Sequence, residues 1–156
     1  MTTRDRLTVL LSSGPRDGPA AAAALVVRLA AGAVFLAFGV VKFTRHASEV
    51  ASFQAYGLPV PEAFVYVIGV IELAGGAMLI AGLATRVAAL VMAGDMVGAI
   101  VVSGIGLGEP VSLTLAPALL ILMVALLWVG PGCLALDRVV FNGSRRAPPR
   151  RPATPA

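Results

Sequence analysis

Four apolar runs, at roughly 20–43, 62–83, 86–106 and 112–134, leave this chain of 156 residues few ways to fold. Each is long enough to cross a bilayer, which takes about 20 residues of helix. Inside hydrocarbon a backbone must satisfy its own N–H and C=O groups, so each run has to be helical. Composition agrees. Charged residues make up 13% of the chain, against about 25% in a soluble domain, and mean hydropathy is +0.92. That is too little polar surface to cover a water-facing globule. A soluble core could account for one such run, but not for four in series. The expected fold class is therefore all-α: an integral membrane bundle of four transmembrane helices in one domain, 20–140. Residues 1–19 and 141–156 are expected to be largely disordered tails. The first run is too long for a signal-peptide core, so it is expected to remain as the first span.

Basic residues set topology. Arg4, Arg6 and Arg16 precede the first run, Arg86 lies between the second and third, and Arg138, Arg145, Arg146, Arg150 and Arg151 follow the fourth. These nine fall on one side of a four-span chain. Only Lys42 and Arg45 fall on the other. Both termini are thus expected in the cytoplasm of a bacterial cell whose inner membrane holds a multi-pass protein. The net charge of +4 follows from this placement and does not require nucleic acid, since no aromatic residue is interleaved with the basic tail. Its arginines would instead rest on anionic lipid headgroups. The first link, TRHASEVASFQAYGLPVPE, is long enough for a short helix near 46–55, with Phe53 and Tyr56 at the interface. In the second link, Gly82 is expected to end one helix and Thr85 to cap the next.

The first run carries an arginine near its start. Taking about 100° per residue, Gly32, Phe35, Gly39 and Lys42 project close to Arg28. Charges and glycines therefore share a stripe, and a glycine stripe lets a neighbouring helix come close. Glu72 lies in the second run with Gly76 on its face, and Asp95 in the third, where Gly94 and Gly98 form a GxxxG. Counting about 1.5 Å per residue from the assumed membrane edges puts Arg28, Glu72 and Asp95 about 12, 16 and 14 Å deep. A lone charge at mid-bilayer is costly, so grouping the three is the expected arrangement. Two carboxylates at one desolvated site cannot both ionise cheaply, so one would pair with Arg28 and the other keep or share a proton. The result is either a polar pocket or an ion-pair lock that fixes packing. Lys42, the only lysine among twelve basic residues, is expected to snorkel at the outer face or meet an anion or quinone there. Arg86 would snorkel at the other face or join a site. Gly94 and Gly98 could also seat a second copy of the chain as a homo-oligomer.

One cysteine, Cys133, excludes an internal dithiol, and one histidine, His46, excludes bis-histidine haem within the chain. No cysteine/histidine metal cluster and no dinucleotide fingerprint is visible. No redox cofactor is encoded, and no metal site is expected.

The series Arg28-x3-Gly32-x2-Phe35-x3-Gly39-x2-Lys42 resembles the first-span motif of the DoxX family. Gly57-Leu58-Pro59, Glu72-x3-Gly76, Gly82-x2-Thr85-Arg86 and the closing Gly130-Pro131-Gly132 with Leu136-Asp137 continue the likeness, over about 24–140. The resemblance implies a four-helix membrane fold and a tie to redox biology. That tie is a membrane component of a thiosulfate-linked or oxidative-stress assembly, with quinone as a ligand and with superoxide dismutase and sulfurtransferase-type partners. Such a chain would at most be a subunit of an oxidoreductase. The competing readings are a non-enzymatic scaffold or assembly factor, and a small transporter or lipid-binding protein.

Overall fold

The computed structural model describes residues 14, 15 and 17–137, so the expected basic C-terminal tail and most of the N-terminal one lie outside the described residues. The chain is all helical there. Helix α1 spans Pro19–Thr44, α2 His46–Ala55, α3 Pro61–Ala81, α4 Thr85–Ala99 and α5 Pro110–Val129. A π-helical segment, Ile100–Ile105, continues α4 into one span, Thr85–Ile105. With α1, α3 and α5 this makes four candidate membrane spans among the described residues, and α2 is the short helix of the first link. Three of the spans begin with proline in the first turn, where its missing N–H is not needed.

Between 22% and 39% of the most apolar window of each span is buried. The remaining faces present Leu90, Ile121 and Trp128 outward, where the solvent is lipid. What holds the helices together is close packing rather than water-driven burial. Helix α1 lies antiparallel on α3, and α4 lies on α5. The α1–α3 seam is made by glycines. A Cβ on Gly32 would come within 2.8 Å of the Gly76 carbonyl oxygen, and one on Gly76 within 2.8 Å of that of Gly32. Gly39 sits as tightly against Leu73. Phe35, Leu79, Met92 and Met123 fill the space between the two pairs.

Two helix ends differ from expectation. The fourth span stops at Val129 rather than 134, because Gly130-Pro131-Gly132 cannot continue a helix and Gly130 adopts a positive φ of 87°. The residues after it fold back along the start of α1, where the Cys133 N–H donates to the Ala21 carbonyl at 3.3 Å. In the second link Gly82 does end α3, in the left-handed region at φ 66°, with the Leu83 N–H bonded back to Met78 O. Thr85 does not cap α4, however. It is the first helical residue, and its buried hydroxyl makes no hydrogen bond among the described residues. The cap comes from Asp137, fully buried, whose two carboxylate oxygens accept from the Ala84 and Thr85 N–H groups.

Candidate functional site

The expected trio of Arg28, Glu72 and Asp95 does not form. Arg28 is fully buried, but it serves the end of the bundle that carries the termini. Its Nε donates to Leu79 O at 2.9 Å and its Nη2 to Ile80 O at 3.1 Å. Its Nη1 donates to the carbonyls of Pro131 and of Cys133. Leu79 and Ile80 are among the last carbonyls of α3, which lack the usual N–H partner four residues on; Leu79 O also accepts from the Gly82 N–H at 3.2 Å. One guanidinium thus binds the C-terminal end of α3 and the segment that follows α5, with its charge at the favourable end of the α3 dipole. Gly82 makes room for it, since a Cβ there would strike the guanidinium. Arg86 is close by in the fold, with Nη2 3.5 Å from the Trp128 carbonyl at the end of α5.

Glu72 pairs with Lys42 instead. The ammonium lies 3.0 Å from Oε1, to which it donates, and 2.9 Å from Oε2. Both side chains are more than nine-tenths buried. Oε2 lies as close to the ammonium as Oε1 does, so both carboxylate oxygens share its charge. Lys42 therefore does not snorkel. One geometric fact explains both departures: α1 and α3 are staggered by about two turns. Arg28 lies opposite residues 79–80, near the end of α3, while Lys42, near the end of α1, lies opposite 69–72. Depths counted from flush helix ends could not see this. Gly69 permits the approach, since a Cβ there would come within 3.3 Å of the Lys42 Cβ and 2.9 Å of the Phe43 ring.

Asp95 joins Lys42 and Glu72 at the wall of a cavity of about 660 Å³. It is within electrostatic reach of both, and its Oδ2 is buried and accepts no hydrogen bond from the described residues. The cavity lies between the α1–α3 and α4–α5 pairs, at the end of the bundle away from the Arg28 cluster. Phe35, Phe38, Ile68, Ile71 and Leu119 give it apolar walls, and Phe53 and Tyr56 of α2 line its outer part. Helix α2 is held over that end by the His46 ring, whose centroid is 4.4 Å from that of Tyr66. Gly94 and Gly98 were expected to pack helices. Among the described residues they pack against nothing: a Cβ at either position would meet no atom within 4 Å, and both line the cavity.

The far wall is built by the π-helical segment and the start of α5. Glu109 caps α5, accepting from the Val111 and Ser112 N–H groups at 3.2 and 2.8 Å and from the Ser103 hydroxyl at 3.3 Å. The Ser112 hydrogen bonds hold its carboxyl below the usual glutamate range. The two serine hydroxyls meet at 2.8 Å. This wall was not foreseen. IVVSGI carries no mark of π geometry, although such segments recur at functional sites. The capping signal, Glu109 before Pro110, was readable.

The fold and site define a four-span membrane protein with a polar-floored cavity on one side of a glycine-packed bundle. The DoxX family profile matches residues 23–105, and the chain belongs to the DoxX family. It is 34% identical over 129 residues to "Uncharacterized membrane protein Rv3486" of Mycobacterium tuberculosis, covering 73% of this chain and 78% of that one. It is 32% identical over 121 residues to "Putative oxidoreductase CatD" of Bacillus subtilis, covering 78% of this chain and 89% of that one. No solved structure matches it.

Proposed function

We propose that the protein is the membrane component of a redox assembly and that its cavity holds the head of a lipophilic carrier of the quinone class. The observation that carries this reading is the cavity itself. It is an apolar slot of about 660 Å³ in the membrane domain, with a donor and two carboxyls gathered at one place on its wall. The residues fit such a head. Phe35 and Phe38 offer flat apolar surface for a ring, while Lys42 donates and Asp95 and Glu72 accept. A bound quinone would supply two-electron, two-proton chemistry. The chain's own part is to exclude water, orient the head and hold a proton at Asp95 Oδ2 or Glu72 Oε2. The redox name of the Bacillus subtilis relative supports the assignment. The electron donor is assigned to partners, of the superoxide dismutase and sulfurtransferase type that the resemblance implies. The basic excess at the terminus-bearing end supports an inner-membrane protein with cytoplasmic termini, which puts the cavity in the outer half.

The test is to purify the tagged protein from its native membrane, identify copurifying proteins and extract bound lipophiles. A redox protein and a quinone-class molecule are expected. Recovery of neither overturns the reading. A scaffold role is favoured by one observation: Lys42–Glu72 ties α1 to α3, the pair already sealed by glycines. A Glu72→Gln protein that is less stable but supports the same membrane redox activity would decide for the scaffold.

A further inference from the structure

Helix α2 lies over the outer part of the cavity. Glu49, Ser52, Phe53 and Tyr56 line the cavity from one face of it, yet no residue of α2 is buried. A ring stack ties its start to α3: the His46 centroid is 4.4 Å from that of Tyr66, and Phe43 is 5.9 Å from the same ring. The His46 nitrogens make no hydrogen bond among the described residues. Beyond the other end of α2, the link to α3 is strained. Val60 sits in the left-handed region at φ 52° and ψ 58°. That region is unfavourable for a β-branched residue and for a residue that precedes proline, and Val60 is both. Its side chain is 69% exposed, so its own packing does not offset the cost. The residue before a helix ordinarily takes extended backbone while its carbonyl still accepts from the first turn. The Val60 carbonyl does accept from the Ala63 and Phe64 N–H groups, at 3.1 and 3.3 Å. Relaxing Val60 to extended backbone is thus compatible with the start of α3. What changes is the direction of the chain arriving from α2.

We infer that α2 is a hinged lid on the cavity: the His46–Tyr66 stack latches it shut, and the strain at Val60 is released when it swings away. Arg45, the single residue between α1 and α2, is one pivot. The other is the link from Gly57 to Val60, where Gly57 adopts φ 73° with nothing packed on it. Latch and strain oppose each other with small energies, which keeps a second state within reach. Opening gives access to Lys42, Glu72 and Asp95 from the water at that end of the bundle, and closing removes it. The lid goes beyond the quinone-class reading and does not depend on which ligand the cavity holds.

The experiment measures how fast a charged, water-soluble methanethiosulfonate labels Ile71→Cys, next to Glu72 on the cavity wall, in the full chain in lipid nanodiscs. Cys133→Ser in the same chain removes its one native thiol. Tyr66→Ala takes away the latch and is expected to speed labelling at least about tenfold. Tyr66→Phe keeps the ring and should label as the parent does. Val60→Gly adopts the left-handed backbone without strain, so it favours the shut lid and should slow labelling about tenfold. A merely loosened fold would label faster in both Tyr66→Ala and Val60→Gly, so the opposite signs are the signature of the lid. Equal rates in all variants make α2 a fixed wall and overturn the proposal. Faster labelling of Val60→Gly overturns it too, because the strain then does not act against the shut state. Either failure leaves the quinone-class reading standing, since that reading is decided by what copurifies.

Discussion

The two ends of this bundle each bury a basic side chain from α1, and they use it in opposite ways. At the terminus-bearing end Arg28 meets backbone carbonyls of two chain segments and Gly82 closes over it. At the other end Lys42 meets one carboxylate, with a second beside it and a cavity in front. Guanidinium suits the first role because its fixed fork of five donors reaches several acceptors at once. Ammonium suits the second because it is a compact charge whose partner can change. Burial alone therefore does not mark a site. The arginine end is closed over its partners, while the lysine end faces a cavity.

Changes that break this contrast should be largest at the arginine. Arg28→Lys cannot reach the carbonyls of both segments, and it should destabilise the protein by about 3 kcal/mol or more. Chemical unfolding in nanodiscs measures this, and affinity for a short-tailed benzoquinol should be unchanged wherever the fold survives. Next comes the ion pair. Lys42→Met or Glu72→Leu alone leaves a buried charge unpaired and should cost about 3 kcal/mol. The double variant should recover most of that, while all three lose benzoquinol binding. A double variant as unstable as the sum of the singles would make the pair a structural lock like Arg28. Asp137→Asn keeps one capping oxygen and loses the other's charge, at a cost of about 1 kcal/mol in the same assay.

The smallest effect concerns Glu109, and it depends on pH. Its carboxyl sits lower in the folded state than in the unfolded chain, so its contribution is present above the unfolded value, about 4.3. It is lost as pH falls through the lower folded value. The stability gap between wild type and Glu109→Gln should be at most about 1 kcal/mol, constant from neutral pH down to about 5. It should shrink only in more acidic solution. A gap that grows towards acid would contradict the capping role.

Much of the fold was legible because bilayer thickness constrains sequence so tightly. Run length specifies the four spans, and Gly32 and Gly39 on α1, with Gly76 on the Glu72 face of α3, mark faces that admit a close neighbour; that these faces meet each other is seen only in the fold. Partner choice was not legible. Depth counting assumed flush helices, whereas α1 and α3 are offset by about two turns, so Arg28 was matched with the wrong acids and Lys42 with none. Asp137 lies about 50 residues from the N–H groups it caps, and no local pattern announces that. The glycines at 94 and 98 show the limit of motif reading. GxxxG specifies a bare strip, and only the surrounding helices decide whether a helix, a ligand or lipid covers it.

The central claim is that the lysine end is a binding site and the arginine end a clamp. It is tested most directly by the benzoquinol affinity of Asp95→Asn, measured on the same nanodisc preparation as its unfolding free energy. Asp95 makes no hydrogen bond with the described residues at its buried Oδ2, so stability should stay within about 0.5 kcal/mol of wild type while affinity falls at least about tenfold. A variant that loses stability as Arg28→Lys does, yet binds the quinol as before, would contradict the account.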